Sequence, residues 1–151
     1  MDANALTVAA AARTEELPGA QLTHPFGPDW DVYKVRGKVF MLITEITGEP
    51  MATVKSDPAD SRALREAYDD ISPGYHMNKK HWITMTGGGR LDGQMVADLV
   101  TESYLLVVEK LPRAQRPVDP VTFGQDGSSG QDAEDSRGGT EREAPGDRRR
   151  P

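Results

Sequence analysis

Residues 75–90, YHMNKKHWITMTGGGR, concentrate most of the chemistry this chain has to offer: two histidines, two lysines, a tyrosine, a tryptophan and three glycines. Four uses compete for such a block. Histidines can hold a metal, glycine amides can cradle a phosphate, lysines beside aromatics can grip a nucleic acid, and the same aromatics can simply fill a core. His76 and His81 lie five residues apart in a stretch without helical period, and His24 is remote. No carboxylate sits between them in the spacing of a zinc helix, so no metal site is expected. TGGGR lacks the spacing of a phosphate-binding loop, and Asp92 would occupy the helix amides that follow, so the glycines read as a turn.

Catalytic constellations are equally absent from the pattern. Ser56, Ser61, Ser72 and Ser103 have no nucleophile-elbow context. Asp29 and Asp31 alternate along a strand and read as a solvated pair. The expectation is therefore a protein that is not an enzyme and needs no cofactor. Cations remain. Lys34, Arg36 and Lys38 are spaced by two around a hairpin tip, Lys79 and Lys80 precede a strand, and Arg90 follows it. Basic hairpin tips can grip phosphates, with Tyr75 and Trp82 available to stack on unpaired bases. Against this, charged hairpin ends often serve only solubility, and a tryptophan more often belongs to a core.

Composition limits the partners. The chain has 151 residues and a net charge of -6, yet residues 13–117 carry 13 Lys/Arg against 15 Asp/Glu, a near balance. Residues 118–151 hold 5 against 8. Global acidity therefore neither demands nor excludes DNA; a local patch decides. The absence of cysteine removes disulfides and thiolate sites, and fits a reducing cytoplasm. Val39–Ile43, as long as any apolar run in the chain, is too short to span a bilayer, and MDANALTVAAAAR lacks a basic leader. A cytoplasmic location is expected.

These side chains need elements to position them. Residues 4–17 read as an Ala-rich helix stopped by LPG, with residues 1–14 either its start or a frayed arm. DWDVYKV and KVFMLIT read as strands joined at Arg36-Gly37, and MATVK pairs back after TGEP. Asp57 and Pro58 open a helix whose Ala63, Leu64, Ala67, Tyr68 and Ile71 share one face and should be buried. HWITM is a short strand. Asp92 caps a long final helix with a stripe of Val96, Leu99, Val100, Ser103, Val107 and Lys110, ended by Pro112. Short joints favour antiparallel pairing. The order implies an α+β, two-layer domain over residues 15–116, with an antiparallel sheet, helices packed on one face, and the other face free. From about 117, Gly, Ser, Pro and charge replace apolar residues, and residues 117–151 are expected to be a disordered tail.

With these elements placed, a family likeness emerges. LPGA, HPFGPDWDVYKVRGKVFMLI, VKSDP, NKKHWITM and LVTESYLLVVEKLPR, in that order over roughly residues 15–116, resemble the MmcQ/YjbR family of small bacterial proteins. Asn78–Trp82 and Ser103–Pro112 are the most specific pieces. The resemblance implies a CyaY-like (frataxin-like) fold and a non-enzymatic DNA-binding role through a double-wing arrangement of loops. Joined to the cations read from spacing above, that role would place the phosphate contacts at Lys34, Arg36, Lys38, Lys79, Lys80 and Arg90, supported by Asn78, His81 and Trp82. The competing reading is a protein- or small-ligand-interaction domain with no nucleic-acid role.

Overall fold

The computed structural model describes residues 1–124. Arg36 and Gly37 both hold positive φ, 51° and 79°. Two such residues make the two-residue turn whose twist matches that of paired strands, so β2 (Trp30–Val35) folds directly onto β3 (Lys38–Thr44). The pairing slips between Tyr33 and Lys34, leaving Phe40 as the extra residue of a bulge. The bulge explains why Val39–Ile43 is apolar without a break. Phe40 and Met41 are both fully buried, and Phe40 meets the Tyr104 ring edge-on at 5.5 Å.

A bulge also leaves a carbonyl outside the ladder. Ser103 Oγ donates to Phe40 O at 2.5 Å and accepts from Lys55 N–H at 2.8 Å, so one helical hydroxyl ties two strands together. That helix is α3 (Gly93–Val108), whose Asp92 cap accepts from Met95 N–H. Its buried stripe is Val96, Ala97, Val100, Ser103, Tyr104, Val107 and Val108. The expected Leu99 is only half-buried and Lys110 is exposed, because the helix is rotated toward Ala97 and Tyr104.

The whole sheet is antiparallel with order β1-β2-β3-β4-β6-β5, where β1 is Ala20–Thr23, β4 Met51–Lys55, β5 Ile71–Pro73 and β6 Trp82–Met85. β5 is an addition to the expected strands: Ile71 turns out of the helix and pairs with Met85. α1 (Ala3–Thr14) packs against α3 and β4, burying Leu6 and Ala10 completely. It belongs to the compact unit Met1–Pro117. The three glycines receive it: Gly88 N–H donates to Met1 O at 2.9 Å, and a Cβ on Gly87 would stand 2.3 Å from Ala3 N. A Cβ on Gly89 would stand equally close to the Asp70 carboxyl carbon. Their service is close packing, which the turn reading did not foresee, while Gly88 at φ 94° bends the chain between β6 and α3.

α2 (Pro58–Ala67) departs from expectation. Asp57 caps it and Pro58 opens it, yet Ser61 is its one buried residue among those described; Ala63 and Ala67 are exposed and Leu64 half-buried. α1 and α3 already cover the sheet, so α2 is left beside the edge strand β5. Residues 118–124 make a short turn closed by Phe123 N–H to Asp119 O at 2.9 Å. The rest of the expected tail lies outside the described residues.

Tyr104 offers a direct check of this packing. Its buried hydroxyl donates to Pro18 O at 2.5 Å, and burial pushes its pKa up to about 12, with Arg36 pulling the other way. The folded state therefore prefers the neutral phenol. The stabilisation is complete below the ordinary value of 10.0 and is lost as pH rises from there toward 12, with a slope of at most about 1.4 kcal/mol per pH unit. Tyr104→Phe should cost about 1 kcal/mol at neutral pH and make the alkaline loss shallower. It should not remove that loss, because burial, Asp31 and Glu15 also raise Tyr33. Urea midpoints between pH 8 and 11.5 for both proteins measure the difference.

Candidate nucleic-acid interface

Strand register decides which cations meet. Lys34 pairs with Val39 and Lys55 with Trp82, while Met41, Val54 and Ile83 stand side by side across β3, β4 and β6. The β2–β3 tip, the end of β4 and the start of β6 therefore lie at one end of the sheet. Neighbouring strands sit about 4.8 Å apart, so β3 and β6 are separated by only about 10 Å. Lys34, Arg36, Lys38, Lys55, Lys79 and Lys80 all belong to this end. The pleat sends Lys34 outward beside Val39, whereas Lys38 pairs with Val35 on the helix side, so the charges wrap the end instead of lying flat.

Residues 74–81 form a strap that folds back over the outer face. Tyr75 N–H donates to Thr84 Oγ1 at 2.9 Å, and Gly74 N–H to Trp82 O at 2.9 Å. A Cβ on Gly74 would meet Trp82 Cβ at 2.6 Å, so only glycine permits this approach. Tyr75 stacks on Trp30 with ring centroids 6.3 Å apart, and His76, at φ 58°, sets its ring edge-on to Tyr75 at 4.1 Å. Beneath the strap, Val32, Leu42 and Trp82 make a small second core, with Trp30, Val39 and Met77 packed on it. The outer face expected to be free is thus partly covered. Trp82, 9% exposed, anchors the strap and is not available for base stacking.

Asn78 organises the basic pair. Its Oδ1 accepts from Lys80 N–H at 2.9 Å and its carbonyl from His81 N–H at 3.2 Å, while His81 O accepts from Ser56 N–H at 2.8 Å. Lys79 and Lys80 are exposed, and Lys79 Nζ reaches Gly74 O at 3.5 Å. His81 is exposed beside them. Among the described residues the ion pairs are Arg13–Glu16 and His24–Asp31, so none of these lysines is paired with a carboxylate there.

One expected contact leaves the patch and a second is engaged elsewhere. Arg90 follows β6 at the opposite end of the sheet; its guanidinium donates to Ala67 O and lies 4.7 Å from the Tyr68 ring centre, closing the end of α2. Arg36 remains at the correct end, but its Nε donates to Gln115 O at 2.9 Å and so holds the segment after α3. Lys55 was missed, because only the β4–β6 pairing reveals its place. Its Nζ stands 6.0 Å from the Trp82 ring centre, in a cleft shared with Asp57, Glu109 and Lys110. His24 Nε2 lies 2.9 Å from Asp31 Oδ1, and no group of three potential metal ligands occurs among the described residues.

Residues 15–106 match the family model described as YjbR. The chain is 44% identical over 121 residues to the uncharacterized protein YbdF of Escherichia coli O157:H7, covering 80% of this chain and 99% of that one. It is 32% identical over 90 residues to the uncharacterized protein YjbR of Escherichia coli K12, covering 58% and 76% respectively. Among solved structures, Deinococcus radiodurans protein DR2400, described as a DUF419 domain, superposes with a TM-score of 0.64 at 34% identity, covering 70% of this chain and 80% of that one. A Pseudomonas syringae protein gives 0.56 at 25% identity, covering 66% and 96%.

Proposed function

The chain belongs to the YjbR family, and from that premise we propose that it is a non-enzymatic DNA-binding protein that grips phosphates through the lysine-rich end of its sheet. One observation carries the reading: strand register gathers Lys34, Lys38, Lys79 and Lys80 at one end, without carboxylate partners among the described residues. The β2–β3 tip and the 74–81 strap are two projections from that end, consistent with a double-wing approach to a duplex. The antiparallel sheet with helices on one face is likewise consistent with a CyaY-like fold. Contacts of this kind read the backbone and carry little sequence information. We place it in the cytoplasm on its cysteine-free composition. No helix among the described residues is long and apolar enough to cross a membrane.

Four phosphate contacts imply a log–log salt slope of about -3.6, hence roughly a hundredfold weaker binding at 200 mM than at 50 mM salt. Anisotropy titration of a labelled duplex across that range should show this loss. A flat salt dependence, or no binding at 50 mM, would remove the proposal.

A further inference from the structure

The helix layer carries a second surface of opposite character. Between α2 and α3 runs an open groove of about 350 Å³, its floor made by Ala63, Leu64 and Leu99 and its rim by Asp60, Asp98 and Glu102. The floor is the part of the α2 and α3 apolar stripes that the fold leaves uncovered. In an amphipathic helix of ten residues such a stripe is normally spent on the core. The rim bears three carboxylates and no lysine or arginine. The Glu102 carboxyl is held above its ordinary range by partial burial first, then by Asp60 of the same rim and by Glu109 and Asp57 outside it.

We infer that this groove docks an amphipathic helix of a partner protein, one that presents leucine-type anchors on one face flanked by lysine or arginine. Helix-in-groove recognition needs an apolar trough between two helices, and the acid rim supplies attraction for flanking cations and a fast approach. The same rim argues against the other occupants. DNA would bring phosphates against three carboxylates. A second copy related by a two-fold axis would set Asp60, Asp98 and Glu102 against their own equivalents.

The test is amide NMR of the full chain titrated with a synthetic 14-residue peptide of leucine and lysine at helical spacing. Two control peptides replace lysine by glutamate or scramble the order. Shifts confined to Ala63, Leu64, Leu99 and their neighbours are expected with the first peptide alone. The double variant Asp98→Asn, Glu102→Gln changes exposed side chains, so it should keep the remaining spectrum and bind about tenfold more weakly at low salt. Charge reversal at Lys34, Lys38, Lys79 and Lys80 should leave peptide binding intact, which separates this site from the DNA surface. Scattered shifts, equal binding of the glutamate peptide, or an unweakened double variant would overturn the inference. So would shifts at these residues that appear on concentrating the protein alone, since they would make a second copy the occupant.

Discussion

Replacing Lys34, Lys38, Lys79 and Lys80 together by glutamate should abolish duplex binding at 50 mM salt, a loss of at least about a hundredfold, and should flatten the remaining salt dependence. Each substitution removes a cation that no carboxylate among the described residues holds in place, and adds a charge that repels phosphate. Lys79 and Lys80 are exposed, and Lys80 is placed by its own N–H bond to Asn78, so the fold should survive. Urea unfolding verifies that survival. Arg90→Gln is the matched control. It opens the end of α2 by removing the contacts with Ala67 O and the Tyr68 ring, so it should lower stability modestly. It should leave DNA affinity and salt slope where they were, because it lies at the other end of the sheet. Wild-type affinity in the quadruple variant would mean that the lysine-rich end is a solvated edge and nothing more.

Trp82→Ala should be the most damaging single change, costing about 3–5 kcal/mol in urea unfolding and on the order of 10 °C in thermal midpoint. Its ring is the floor between sheet and strap, where Val32, Leu42, Trp30, Val39 and Met77 converge. Truncation leaves a cavity beneath the strap where the ring stood, and the strap backbone is held over it by the Gly74 N–H to Trp82 O bond. The strap carries Lys79 and Lys80, so loosening it should also weaken duplex binding while the protein remains folded. The sign of that second effect separates an anchor from mere bulk: a destabilised variant with unchanged affinity would show that the strap keeps its lysines in place without Trp82.

Much of this architecture was readable from local signals. Arg36-Gly37 sits between two β-rich runs, Asp57-Pro58 and Asp92 start helices by capping, and Pro112 cannot continue one. Such signals act within a few residues, so a linear reading captures them. β5 escaped because Ile71 continues the helical period of α2 until pairing with Met85 overrides it. The burial of α2 was misjudged for a related reason: amphipathicity says that a helix has an apolar face, while competition with α1 and α3 decides whether that face finds a core.

By itself, then, the amino-acid order determined the α+β class, the turns, the caps and a first set of candidate cations. Tertiary structure alone decided which of them share a place. It added Lys55, removed Arg90, tied Arg36 to Gln115 and turned Trp82 inward under its own strap. The physical reason is that charge convergence depends on strand order and register. Those follow from packing between residues far apart in the chain, and a slip of one residue would send Lys34 to the opposite face of the sheet.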